Sequence, residues 1–153
     1  MRLALALVCA ALISAGPALA AEKSDRIEIV ARIRAAVDAC NRKDVTAFAR
    51  YLTPSPIAVT ETPPSPSQCA YALSDLEAAY EVDSGKNAVT EPEITLLRVK
   101  DIEISGTHAY VVWPAAYGFK QAGKRAEQYS TITVALEKSG RDWRIANWIL
   151  SKE

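Results

Sequence analysis

Histidine is almost missing from this chain of 153 residues: His108 is the only one. A Ser-His or Cys-His nucleophile therefore rests on one side chain, and that side chain follows Gly106-Thr107 in a turn, a setting that reads as exposed. Cysteine is scarce as well, at three, and no two sit at metal-ligand spacing with each other or with His108, so no metal site is expected. The six glycines form no phosphate-cradling loop, and no cofactor motif appears. Neither sign of charge is in excess, with 18 basic and 18 acidic residues. No basic stripe exists to hold nucleic acid. Beyond the first twenty residues no apolar run is long enough to span a bilayer, so no membrane contact is expected of the rest.

What is present begins with a leader. Arg2 precedes an unbroken apolar run from Leu3 to Ile13, which Ser14, Gly16 and Pro17 then break. Ala18-Leu19-Ala20 matches the small-x-small pattern of a signal-peptidase site. The run is too short for a membrane span, which argues against an uncleaved anchor. Cys9 follows the bulky Val8, where a lipoprotein signal needs a small residue. The expectation is a cleaved signal over 1–20 and one domain over 21–153, working in the periplasm or secreted. That length is enough to bury a core. Removing Arg2 leaves the acidic residues one ahead.

Cleavage also removes Cys9 and leaves Cys40 and Cys69. In an oxidising compartment these two have one intramolecular pairing, and the alternative is two buried thiols. A disulfide closing that loop would stabilise the fold by about 3–4 kcal/mol in the chain-entropy picture.

Periodicity divides the domain into a helical half and a β half. Asp25 and Glu28 stand at capping-box spacing before a helix whose apolar face is Ile29, Val30, Ile33, Val37 and Cys40. Asn41-Arg42-Lys43 ends it, and Asp44 caps a second helix with a stripe of Val45, Phe48, Ala49 and Leu52. Pro54 and Pro56 stop that helix, Ile57 to Glu61 is β-prone, and Thr62 to Ser67 is a proline-stiffened loop. Ser74-Asp75-Leu76-Glu77 opens a third helix that exits at Gly85. Four β-prone stretches follow: Ile94 to Ser105, His108 to Lys120, Arg125 to Lys138 and Trp143 to Leu150. Short turn-forming joints separate them and imply an antiparallel meander. In the third stretch Gln128, Ser130, Ile132, Val134 and Leu136 share one face, and Glu127, Tyr129, Thr131, Thr133 and Ala135 the other. The fold class is α+β, a curved antiparallel sheet covered on one face by three N-terminal helices.

The order of these pieces resembles the nuclear transport factor 2-like (SnoaL-like) superfamily. The helical hairpin jointed at Asn41-Arg42-Lys43-Asp44, the strand Ile57-Ala58-Val59-Thr60-Glu61 and the segment from Ile102 to Val111 are similar to its motifs. So are Thr131 to Leu136, Gly140-Arg141-Asp142-Trp143-Arg144-Ile145 and Ser151. The resemblance implies a cone-shaped sheet around a pocket. It implies no reaction, because that superfamily holds isomerases, cyclases, dehydratases, transport adaptors and binding modules.

In its ketosteroid-isomerase-like members a carboxylate base ends the first strand, a role the resemblance assigns to Glu61. Burial in an apolar cone would raise the pKa of such a carboxyl. The first-helix position where those enzymes carry a hydroxyl donor is Ala36 here. A cone can also present Trp113, Tyr117, Tyr129 and Trp148, with Thr131 and Thr133, to a ligand. Trp143, beside Ile145, reads as core. The resulting expectation is a binder of a small apolar or amphipathic ligand or of a protein partner. One alternative is an isomerase- or dehydratase-like enzyme using Glu61. The other is a structural module that pairs as a homodimer through its open sheet face.

Overall fold

The structure, a computed structural model, describes residues 15–60, 68–70 and 89–153. The apolar part of the leader, Glu61, the loop Thr62 to Ser67 and the third helix expected from Ser74 to Gly85 lie outside the described residues.

Helix α1 runs over Ala15–Asn41. It starts well before Asp25, so Asp25 and Glu28 are helix-interior residues rather than a cap. Ile29, Ile33, Ala36 and Val37 are buried along one stripe, as the three- and four-residue spacing requires. Each large aliphatic buried there contributes about 1.5–3 kcal/mol. Helix α2, Val45–Ala49, is capped by Asp44, whose Oδ1 accepts from the Ala47 N–H at 2.9 Å. Phe48 is its buried residue; Leu52, also buried, belongs to the strand that follows.

Seven strands form one curled sheet: β1 Leu52–Thr60, β2 Gln68–Ala70, β3 Val89–Leu96, β4 Asp101–Ser105, β5 His108–Gln121, β6 Lys124–Ser139 and β7 Asp142–Lys152. The order is β2-β1-β7-β6-β5-β3, with β4 pairing β5 beyond the end of β3. Strands β4 to β7 make the expected antiparallel meander. The sheet as a whole is mixed, because β1 lies parallel to β7, Leu52 beside Ile145 and Thr60 beside Leu150. α1 lies against β3, β4 and β7, so it crosses the sheet and buries one face of it.

Two-residue turns join the long strands. Ala122 and Gly123 both have positive φ, 49° and 78°, which a type I′ hairpin demands. Gly106 and Gly140 lead the other two turns, at φ 59° and 64°.

Prolines decide where the ladders break. β1 contains Pro54 and Pro56, against the expectation that they precede the strand, and its register with β7 shifts between Leu52 and Ile57. Pro92 likewise sits in the shift between Thr90 and Glu93 of β3, next to Glu91 at φ 53°. The stretch from Ile94 to Ser105, expected as one strand, is two. Opposite the gap stands Pro114, which has no N–H to give its neighbour. Leu97 N–H still donates to the Pro114 carbonyl at 3.0 Å, and pairing resumes with Lys100 N–H to Val112 O at 3.1 Å.

Polar contacts pin α1 at its C-terminal end and at its middle. Asn41 docks its carboxamide on the outer edge of β3: the Ile94 N–H donates to Asn41 Oδ1 at 2.7 Å, and Asn41 Nδ2 donates to Ile94 O at 2.9 Å. Near the middle of the helix, Asp25 Oδ1 accepts from Lys138 Nζ at 2.5 Å and from Trp143 Nε1 at 3.2 Å. Glu28 accepts from the Trp143 amide at 3.2 Å and from Arg32 at 3.1 Å, and Arg32 also reaches Asp142 at 3.7 Å.

Candidate functional site

Side chains alternate across a sheet, so the register sorts every strand residue onto one of two faces. On β6 the inner, helix-covered face carries Gln128, Ser130, Ile132, Val134 and Leu136, of which the last four are buried. Their cross-strand partners on β5 are Tyr117, Ala115, Trp113, Val111 and Ala109. The alternation read from the sequence is the observed one.

That sorting divides the aromatic and hydroxyl residues singled out in the sequence. Trp113, Tyr117 and Trp148 are on the inner face and buried. Tyr129, Thr131 and Thr133 are on the opposite face, where Tyr129 is 65% exposed and Thr131 Oγ1 donates to Glu153 Oε1 at 2.8 Å. Glu61 lies outside the described residues. Cys40 is half-buried against the core at the end of α1, and Cys69 stands opposite Val59 in the β1–β2 pair. His108 opens β5 and is exposed. Among the described residues no group of three His, Cys, Asp or Glu is placed to hold a metal ion, and no helix is long and apolar enough to cross a membrane.

The inner aromatics differ in what they still offer. The Trp113 indole N–H donates to Leu97 O at 2.8 Å, and the Arg34 guanidinium lies 5.7 Å from its ring centre. Its polar handle is therefore committed to the scaffold. Trp143, as expected, is core, with its N–H on Asp25. Trp148 packs edge-on to Phe48, centroids 5.8 Å apart and planes at 88°. Tyr117 tilts against Phe119 at 5.5 Å. Such contacts give stiff apolar walls.

Two polar groups interrupt those walls. Ser130 is 1% exposed, and its Oγ has no hydrogen-bond partner; neither has the buried Nε2 of Gln128. They sit two residues apart on the inner face of β6, beside Ala115 and Tyr117. A buried unsatisfied polar group costs about 1–3 kcal/mol, so native folds keep few of them. Neither was singled out as a site residue. The signal was in the β6 alternation, where a Gln and a Ser occupy inward positions that continue as Ile, Val and Leu.

The electrostatics lie elsewhere. The ammonium of Lys138, hydrogen-bonded to Asp25, holds that carboxyl below its ordinary pKa; burial opposes this, and the Trp143 N–H assists it. These groups serve to hold α1 against the β6–β7 hairpin.

A helix-covered, curled sheet with an apolar inner face defines the class of cone-shaped α+β domains. Solved structures identify the particular fold. A nuclear transport factor 2-like superfamily protein from Salmonella enterica serovar Typhimurium matches with a TM-score of 0.70 and 17% identity, over 86% of this chain and 92% of that one. A ketosteroid isomerase-like protein from Erwinia carotovora atroseptica matches at 0.63 and 22%, over 82% and 94%. A protein of unknown function from Mycobacterium tuberculosis matches at 0.71 and 14%, over 92% and 78%. The chain has the nuclear transport factor 2-like fold, as the resemblance implied. No family model matches it, and no curated protein sequence does.

Proposed function

We propose that this is an exported binding protein that takes a small, mostly apolar ligand on the inner face of its cone. One observation carries the reading: Ser130 Oγ and Gln128 Nε2 are buried without partners on a largely apolar face walled by Trp113, Tyr117 and Trp148. Ligand sites have this composition, apolar walls with a few placed polar groups. The fold supports it, since cone-shaped domains enclose their inner face. Thermal unfolding with and without an uncharged aromatic probe tests it. A ligand of the folded state raises the midpoint by mass action, by about 2.7 kcal/mol of stability at a hundredfold excess over Kd. A midpoint unmoved by such probes up to their solubility would sink the reading.

The rival is an isomerase- or dehydratase-like enzyme with Glu61 as base. In its favour, Glu61 directly follows Thr60, whose backbone pairs beside Leu150, and the fold matches that of a ketosteroid isomerase-like protein. Glu61→Gln separates the two, abolishing turnover under the enzyme reading and leaving ligand binding intact under the other. A homodimer through the outer face, where Tyr110 and Tyr129 are exposed, is the third reading; sedimentation at micromolar concentration decides it.

A further inference from the structure

We propose that the tip of the β5–β6 hairpin is a docking edge for a second copy of this chain, the two β6 strands pairing antiparallel about a two-fold axis at Ala126. Strand β7 accompanies β6 only as far as Ser130, and beyond it the Glu153 N–H donates to Tyr129 O at 3.2 Å. From Lys124 to Gln128, β6 has β5 on one side and, among the described residues, no strand on the other. In an antiparallel ladder alternate residues turn their N–H and C=O toward the neighbouring strand. The two-residue turn makes Gln121–Lys124 a hydrogen-bonded pair, and Phe119–Ala126 and Tyr117–Gln128 follow in the same phase. Arg125 and Glu127 therefore aim their backbone groups away from β5, as Tyr129 does toward Glu153. Both residues are exposed.

Charge selects the occupant. An open edge carrying one sign of charge repels its own copy, but this edge carries both signs, two residues apart. With the axis at Ala126, Arg125 stands opposite the second copy's Glu127, and Glu127 opposite the second copy's Arg125. All of these residues turn their backbone groups outward, so each opposed pair exchanges both of its hydrogen bonds. Their side chains lie on one face at cross-strand distance, close enough for an ion pair. Moving the axis by one residue sets Arg125 against Arg125 or Glu127 against Glu127, which like charge disfavours. Glu127 has no ion pair within the chain among the described residues. Arg125 reaches Glu93 at 3.0 Å, an exposed pair that is weak enough to yield. The contact lies at the edge of the sheet rather than on its outer face, and it needs no ligand in the cone.

So short an edge buries less than the roughly 1,200 Å² at which stable interfaces begin, so the association is weak. Sedimentation equilibrium and amide NMR between about 10 µM and about 1 mM protein test it. The Arg125 and Glu127 amide protons should move downfield as concentration rises, while that of Ala126, already bonded to β5, moves less. Arg125→Glu and Glu127→Arg should each weaken self-association about tenfold or more, because each sets like charges opposite one another. An equimolar mixture of the two variants should associate, since each then meets the opposite sign in the other. The double variant exchanges the two charges and should recover the parent's association with an unfolding midpoint near the parent's. A protein that stays monomeric at about 1 mM overturns the inference. So does a dimer whose shifts fall on Tyr110 and Thr133 of the outer face instead of on Arg125 and Glu127. Single variants that associate like the parent, or a mixture that associates no better than either variant alone, overturn it as well.

Discussion

The indole N–H of Trp113 occupies the place of an amide that Pro114 does not have, donating to Leu97 O at 2.8 Å. Leu97 already donates its own N–H to Pro114 O. In an unbroken antiparallel ladder the residue at 114 would return that bond to Leu97 O. The tryptophan returns it instead, from the preceding residue.

Trp113→Phe therefore strands the Leu97 carbonyl and should cost about 1–3 kcal/mol, read by urea titration. Adding Pro114→Ala restores a backbone donor at that position. Partial recovery in the double variant is the expected result. No recovery would mean that the loss came from packing against Arg34 alone.

Asn41 gives β3 two hydrogen bonds along its outer edge. Asn41→Ala should lower stability by about 2 kcal/mol, one for each bond. The Ile94 amide should then exchange with deuterium markedly faster, ahead of amides in β6. Unchanged protection at Ile94 would show that the edge holds without the helix.

Asp25 makes stability depend on pH in one direction. Its folded pKa lies below its unfolded value, so it binds fewer protons when folded. The stabilisation is fully present above the unfolded value of about 4 and is lost as pH falls through the folded one. The difference between the parent and Asp25→Asn should stay level from about pH 7 to 5 and shrink below about pH 4. A difference that grows in acid would reverse the assignment.

Ala122 holds a left-handed conformation at φ 49°, which costs a residue with a Cβ about 1 kcal/mol. Ala122→Asn should stabilise the β5–β6 hairpin by about 0.5–1 kcal/mol, because Asn-Gly suits a type I′ turn. Thermal unfolding checks it, and a lower midpoint would argue for a different turn.

Where structure follows from neighbours in the chain, the sequence was a good guide. The stripe through Ile29 and Ile33, the Asp44 cap, the meander turns and the alternation of β6 are all local patterns, and all are present. What escaped was set by distant residues. Nothing between Ile94 and Ser105 announces a break, because its cause is Pro114 on the next strand. Asp25 and Glu28 have the spacing of a cap, yet they reach Lys138 and Trp143 far along the chain. The parallel partner of β1 is equally invisible from Leu52 to Thr60. In the candidate site, the inward direction of Ser130 and Gln128 was legible. That they lack partners was not, since it depends on everything packed around them.

The parallel pairing of β1 with β7 bears on how the chain reaches this state. Leu52 and Ile145 are roughly ninety residues apart in sequence, and contacts of such separation form late because closing so large a loop sacrifices entropy before any contact repays it. The three hairpins from β4 to β7 need no such closure and supply a platform early. By that reasoning folding runs from the second half of the chain back to the first, with β1, and α1 whose Asp25 meets Lys138 and Trp143 across a still longer stretch of chain, joining after the meander.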